Sequence, residues 1–187
     1  MTYIRPITSP PLPGNLSLTQ FIQTLLVGVS GFDVSLVRPS WQRFPPKQPD
    51  IDVDWMAFAI IMSAPNIYAY TDLDKNQNYI TQRHQDLKLT CSVYGPNAMD
   101  NASLIQDGLQ LGPNLSALTL ANMGFVSTGE ANHIPDLVNE RWVERVIMDV
   151  FLRREIQRVY PVLSFVSANG IIHTTLENET YLKDWQT

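Results

Sequence analysis

The stretch that most constrains the fold is residues 141–176. Trp142, Val146, Met148, Val150 and Leu152 hold one parity, interrupted only at Glu144, while Arg141, Arg145, Asp149 and Arg153 hold the other. Only a β-strand sends alternate residues to opposite faces. The pattern therefore predicts a long strand over residues 140–154 with one buried face. Residues 162–168 and 171–176 then flank Asn169-Gly170. Both central positions of a type I′ turn need φ > 0, which Asn and Gly tolerate, so a hairpin and a terminal antiparallel meander are expected there.

The same periodicities place the other elements. In residues 79–94, Leu87, Leu89, Cys91 and Val93 face one way, and Lys88, Thr90, Ser92 and Tyr94 the other. Residues 54–63 are apolar on both parities, which predicts a central strand covered on both faces. The polar stretch 71–78 is the loop between them, residues 34–37 and 125–128 are short strands, and 129–139 is an exposed loop. Ser17, with Gln20 three residues on, forms the signature of a capping box before Leu18, Phe21, Ile22, Leu25 and Leu26 at helical spacing. That helix should end near residues 29–31. Ala98, Ala102, Ile105 and Leu109 mark a helix over 98–111 stopped by Gly112-Pro113, and 115–123 is a shorter one. The order is α–β–β–β–α–β–β–β with short strand-to-strand links. It predicts an α+β fold, a mostly antiparallel β-sheet with helices packed on one face.

The proline-bearing segments stand apart. Residues 1–16, with Pro6, Pro10, Pro11 and Pro13, form an extended N-terminal arm that could span roughly 50 Å. It is either a frayed end or an arm lying on a neighbouring subunit, anchored by Tyr3 and Ile4. Residues 17–177 form one α+β domain and 178–187 a C-terminal tail. Within the domain, Pro39, Pro45, Pro46 and Pro49 force extended backbone over residues 38–49. There Trp41 and Phe44 must pack, on the protein's own core or on another subunit.

Composition narrows the function classes. The formal net charge of −5 leaves no electrostatic footprint for tight nucleic-acid binding, although DNA could pass along such a surface without sticking. Cys91 is the single cysteine, so no intrachain disulfide forms and a reducing compartment is expected. No apolar run reaches the roughly 20 residues of a membrane span, and the first residues lack the apolar core of a signal peptide. His84, His133 and His173 form no metal-spacing pair, and Gly28-Val29-Ser30-Gly31 lacks the spacing and lysine of a phosphate loop. Asp72 and Asp74 open like a calcium loop without its glycine and distal glutamate. Glu140, Glu144 and Asp149 alternate with arginines, a pattern of ion pairs rather than of an acid–base dyad. No catalytic residue, cofactor or metal is expected.

Arg141, Arg145, Arg153, Arg154 and Arg158 nevertheless gather on one segment of an acidic chain. This stripe is either a solvated strand face or one half of a head-to-tail contact with a neighbour's acidic loop, at Asp72 and Asp74 or at Asp50, Asp52 and Asp54. The candidate subunit-interface residues are accordingly Tyr3, Ile4, Trp41, Arg43, Phe44, Asp72, Asp74, Arg141, Arg145 and Arg153.

Five ordered segments complete the reading. They are Val37-Arg38-Pro39-Ser40-Trp41-Gln42-Arg43-Phe44-Pro45-Pro46, Asp52-Val53-Asp54-Trp55-Met56-Ala57-Phe58, Tyr94-Gly95-Pro96-Asn97-Ala98, Gln106-Asp107-Gly108-Leu109-Gln110-Leu111 and Asn139-Glu140-Arg141-Trp142-Val143-Glu144-Arg145. In this order, over about residues 17–160, the chain resembles the neck (tail) terminator proteins of tailed bacteriophages. The resemblance implies a non-enzymatic virion subunit, assembled in the host cytoplasm into a homo-oligomeric ring, usually a hexamer, at the head-proximal end of the tail. Such a ring ends growth of the tail tube, meets the head-connector or adaptor proteins and, in some tails, the sheath. It lets genomic DNA pass without specific binding and involves no membrane. The alternatives are another head–tail connector or head-completion protein of the neck and, in a different class, a small hydrolase or ligand-binding module.

Overall fold

The computed structural model describes residues 4–8, 15–62, 68–138, 140–161, 169–176 and 179–186. Its first element is helix α1 (Asn15–Ser30). Leu18, Ile22, Leu25, Leu26 and Val29 recur at the spacing of one helix face, and all are buried. Each fully buried aliphatic side chain contributes about 1.5–3 kcal/mol against the cost of ordering it. Ser17, expected as the cap, lies inside the first turn, because the helix already begins at Asn15. The end is as expected: Gly31 adopts φ +72° and its N–H reaches the Val27 carbonyl at 2.9 Å, the left-handed stop that glycine allows.

Residues 34–36 are not the expected strand. They form a 3-10 turn, since Asp33 accepts a hydrogen bond from the Ser35 N–H at 2.8 Å and draws the chain into a cap. The strand starts one turn later as β1 (Val37–Pro39), and Gln23 of α1 fastens it through its Nε2 and the Val37 carbonyl at 2.7 Å. β1 pairs in parallel with β2 (Trp55–Met62). β3 (Tyr70–Leu73) and β4 (Tyr79–Tyr94) form a hairpin whose turn is closed by Asp74, which accepts from the Asn76 and Asn78 N–H groups at 2.8 and 2.7 Å. β4 matches its predicted bounds, and Leu87, Leu89, Cys91 and Val93 are buried as predicted.

Helix α2 (Ala98–Gly108) buries the predicted stripe Ala98, Ala102 and Ile105, with Leu109 just beyond its end. The helix ends at Gly108, short of the expected residue 111, so Gly112-Pro113 is not what stops it. The pair opens α3 (Gly112–Leu120), where a proline in the first turn loses no hydrogen bond. β5 (Met123–Thr128) follows. The supposed loop 129–139 carries two short strands, β6 (Asn132–His133) and β7 (Asp136–Val138).

The long strand predicted over residues 140–154 is broken. β7 turns back onto β8 (Arg141–Val143) through Glu140, at φ +65°, and Glu144 separates β8 from β9 (Arg145–Tyr160). The break shifts the parity upstream of it: Val143 is buried and Trp142, expected in the core, is 69% exposed. Downstream the prediction stands, with Val146, Met148, Val150 and Leu152 buried.

The main sheet has seven strands in the order β1-β2-β4-β9-β5, with β3 added to β4 and β6 to β9. All its pairings are antiparallel except β1 with β2. α1 and α2 cover one face. The α+β expectation therefore holds. β2 is not the doubly covered central strand expected: it lies next to the short edge strand β1, Met56 and Phe58 enter the core, and Ile61 and Met62 are exposed.

Asn169-Gly170 is not a turn. Both residues belong to β10 (Asn169–Leu176), which pairs antiparallel with β11 (Glu179–Gln186) in the register Asn169 opposite Gln186 and Leu176 opposite Glu179. An eight-residue partner within the presumed tail 178–187 sets the register, and a ladder of that length outweighs a local turn preference. The expected strand over residues 162–168 lies outside the described residues.

Candidate assembly surface

Four of the five ordered segments meet at one end of the main sheet. The meeting point is built around Gly95, which follows β4 at φ +111°. Its N–H donates to the Glu144 carbonyl at 3.1 Å. Asp54, just before β2, accepts from the Asn97 N–H at 3.0 Å through Oδ1 and from the Asn97 Nδ2 at 2.8 Å through Oδ2. This carboxylate sits at the entry to α2, where helix N–H groups lack partners. A Cβ on Gly95 would stand 2.3 Å from Asp54 Oδ1, so only glycine permits the approach.

On the helix-free face beside this junction runs a row of rings and cations. Trp55 of β2 lies directly opposite Tyr94 of β4, and their rings stack with centroids 4.3 Å apart and planes 6° from parallel. Such a pair adds about 0.5–1.5 kcal/mol beyond its buried area. Arg38 caps the Trp55 side, 5.7 Å from the ring, and Arg145 the Tyr94 side at 5.5 Å. Arg145 is held in turn by Asp136 at 3.0 Å and Ser92 at 3.3 Å. Arg38 donates to the Lys47 carbonyl at 2.8 Å, which pins the base of the proline-bearing loop.

That loop projects. Trp41 and Phe44 are 83% and 80% exposed, so neither packs on the protein's own core. Trp41 adopts φ +59°, a backbone conformation uncommon for a bulky residue. Arg43 lies over the Phe44 ring at 5.3 Å. Beside the loop is an open concavity of about 740 Å³ between residues 47–53 and the β7–β8 hairpin, with Arg141 on its wall.

The other proposed interface residues are scattered or engaged. Arg153 forms an ion pair with Asp86 at 2.6 Å across β9 and β4, which holds the Asp86 carboxyl below its ordinary range. Arg145 is engaged as above, so these two arginines of the stripe have partners within the chain. Asp72 receives the Tyr70 hydroxyl at 3.2 Å, and Asp74 is occupied in its turn, with its carboxyl lowered chiefly by the hydrogen bond from Asn78. Ile4 is exposed near the far ends of β4 and β9, where the Ile7 N–H donates to the Val159 carbonyl at 2.8 Å. Tyr3 lies outside the described residues. Trp55, Tyr94, Arg38 and Asp136 were not singled out from sequence, and Asp54, expected in an acidic loop facing a neighbour's arginines, is engaged by Asn97 of its own chain. A known register between β2 and β4 would have placed the two rings opposite each other.

Little here has the form of a reaction centre. His133 and Glu144 hydrogen-bond to each other at the surface, each about half exposed. Among the described residues, no group of three or more His, Cys, Asp or Glu side chains is placed to hold a metal ion. Among the same residues, no helix is long and apolar enough to cross a membrane. No curated protein matches the chain. The profile of the phage neck terminator proteins, in contrast, matches residues 16–175, most of its length, and the chain belongs to that family.

Proposed function

We propose that this chain is a structural subunit of the virion neck that assembles into a ring, a hexamer, at the head-proximal end of the tail. In this reading it ends growth of the tail tube, offers its opposite rim to the head connector and, in a contractile tail, meets the sheath. It performs no chemical turnover. The observation that carries the proposal is the convergence of four of the five ordered segments on a single sheet end. There a stacked Trp55–Tyr94 pair backs a loop that holds two large aromatics out in solvent. Exposed aromatics beside arginine are the composition of an interface core, and their exposure in the lone chain is accounted for by burial in an assembly. The net charge of −5 fits a conduit that must not gain affinity for passing DNA by counterion release.

Mass photometry and negative-stain imaging of the purified chain test this. A closed ring of six times the 21.2 kDa chain mass, able to cap tail tubes, is the expected result. A monomer at all concentrations that leaves tube length unchanged would overturn it, and twelve-fold symmetry would place the chain in another ring of the neck.

A further inference from the structure

We infer that the projecting tip Trp41–Phe44 of one copy seats in a groove between α1, α2 and α3 of the next copy, so that the ring is closed by a knob and a hole on different faces. The inference rests on the ring reading above and supplies its contact.

The hole lies on the helix layer. It is an open groove of about 680 Å³ bordered by Gly28 and Val29 of α1, Leu104 and Gly108 of α2, and Leu111 beyond it. That volume falls in the roughly 300–1,000 Å³ range of sites that accept a bulky organic group. Glycines make the groove. At Gly28 a side chain would meet nothing within 4 Å, so its absence leaves open space, while a Cβ at Gly108 would come within 2.6 Å of Val29 Cγ1. Leu104 and Leu111 stay exposed on the wall. Asp100 and Asp107 also line the groove, and among the described residues neither is ion-paired.

The knob is complementary in kind and in charge. It offers two aromatic rings with Arg43 between them in sequence, and among the described residues no carboxylate pairs with Arg43. Apolar rings suit the leucine walls, and the guanidinium suits an acidic rim. Placement excludes self-filling. Trp41 stands beside Leu18 and Thr19 at the start of α1, whereas Gly28 lies ten residues further along, about 15 Å at the helical rise. A knob at one end of α1 and a hole at the other make a heterologous contact, the type that closes into a ring when the rotation permits.

The full-length chain tests this by cross-linking. Phe44→Cys and Leu104→Cys, each made singly, should yield a disulfide-linked dimer when mixed under mild oxidation, and none when either is oxidised alone. Cys91 is buried and its thiol is pushed up to about 12, so it adds no background. Trp41→Ala with Phe44→Ala should weaken self-association on the order of 30-fold, the factor for truncating a hot-spot residue. Gly28→Leu, whose Cβ would meet nothing within 4 Å, should do the same, and all variants should keep the wild-type circular dichroism spectrum. Arg43→Glu should dissociate the ring, and Asp100→Lys with Asp107→Lys should restore it. If rings form unchanged in the Trp41/Phe44 and Gly28 variants and the mixed cysteines do not link, this contact is wrong while the ring stands. If the wild-type chain never self-associates, the ring reading fails and takes this inference with it.

Discussion

The two halves of the long β4–β9 ladder share strands, register and hydrogen bonding, yet they are different materials. From Leu87 to Tyr94, opposite Arg145 to Leu152, the inward residues lie under α1 and α2 and are buried. From Tyr79 to Asp86, opposite Arg153 to Tyr160, the partners are β3 and the segment around Ile7, and the inward parity changes to Gln85, Arg83 and Thr81. Sixteen residues of strand reach about 50 Å, more than twice the length of α1, so the helices cannot roof both halves. A continuous ladder does not make a continuous core. The helix cover decides where the apolar core ends: beyond it Gln85 and Ile156 are still buried, but opposite Arg154 and Arg83.

Substitutions can break that contrast. The largest effect is expected for Leu89→Ala in the roofed half, about 2–5 kcal/mol by urea unfolding, because the cavity cannot collapse between sheet and helices. Thr81→Ala, at the same inward parity of the projecting half, should cost about 1 kcal/mol or less. Equal losses would mean that the halves form one core after all. Gly95→Ala, at the junction that ends the roofed half, combines a left-handed φ with a clash against Asp54. It should cost about 1–3 kcal/mol, whereas Gly124→Ala, where a Cβ meets nothing within 4 Å, should change the unfolding midpoint little.

Cys91 reports how dry the roofed half is. Burial raises its thiol to about 12 from an ordinary 9, so between those values the unfolded chain loses a proton that the folded chain keeps. Its contribution is whole below pH 9 and declines as pH rises, by up to about 1.4 kcal/mol per pH unit. Denaturant midpoints at pH 8 and pH 10 should diverge, and Cys91→Ala should remove that part of the slope. A native thiol that reacts freely at pH 8 would contradict it. A comparably small effect belongs to Arg153→Ala at the boundary. Its ion pair with Asp86 is more than half exposed, so the melting temperature should move by no more than about 2 °C. What survives of that effect is present above the ordinary carboxylate range and fades as acid protonates Asp86, because the folded-state carboxyl is the lowered one.

The strand could be read from the residues alone, but the contrast between its halves could not. The alternation from Leu87 to Tyr94 leaves no other element to compete, and β4 came out with its predicted ends. The same reasoning failed at residues 140–144, where a left-handed Glu140 and a second hairpin reverse the chain within a pattern that still looked periodic. It failed again at Asn169-Gly170, where pairing with the next strand along its full length overruled a local turn signal. Trp41, Phe44 and Arg43 were singled out from composition alone, and all three lie on the projecting loop. The Trp55–Tyr94 stack and the Asp54–Asn97 clasp were not legible, because they depend on which residues of two strands stand opposite one another.

The Gly95 junction carries a further consequence, one of span. It ties the start of β2 to the entry of α2 across 43 positions of sequence, and the Glu144 carbonyl to the end of β4. Closing contacts so far apart along the chain costs loop entropy before any of them repays it. This sheet end is therefore knit by the whole polypeptide rather than by one local stretch, and a lesion in any of the three segments should loosen the other two.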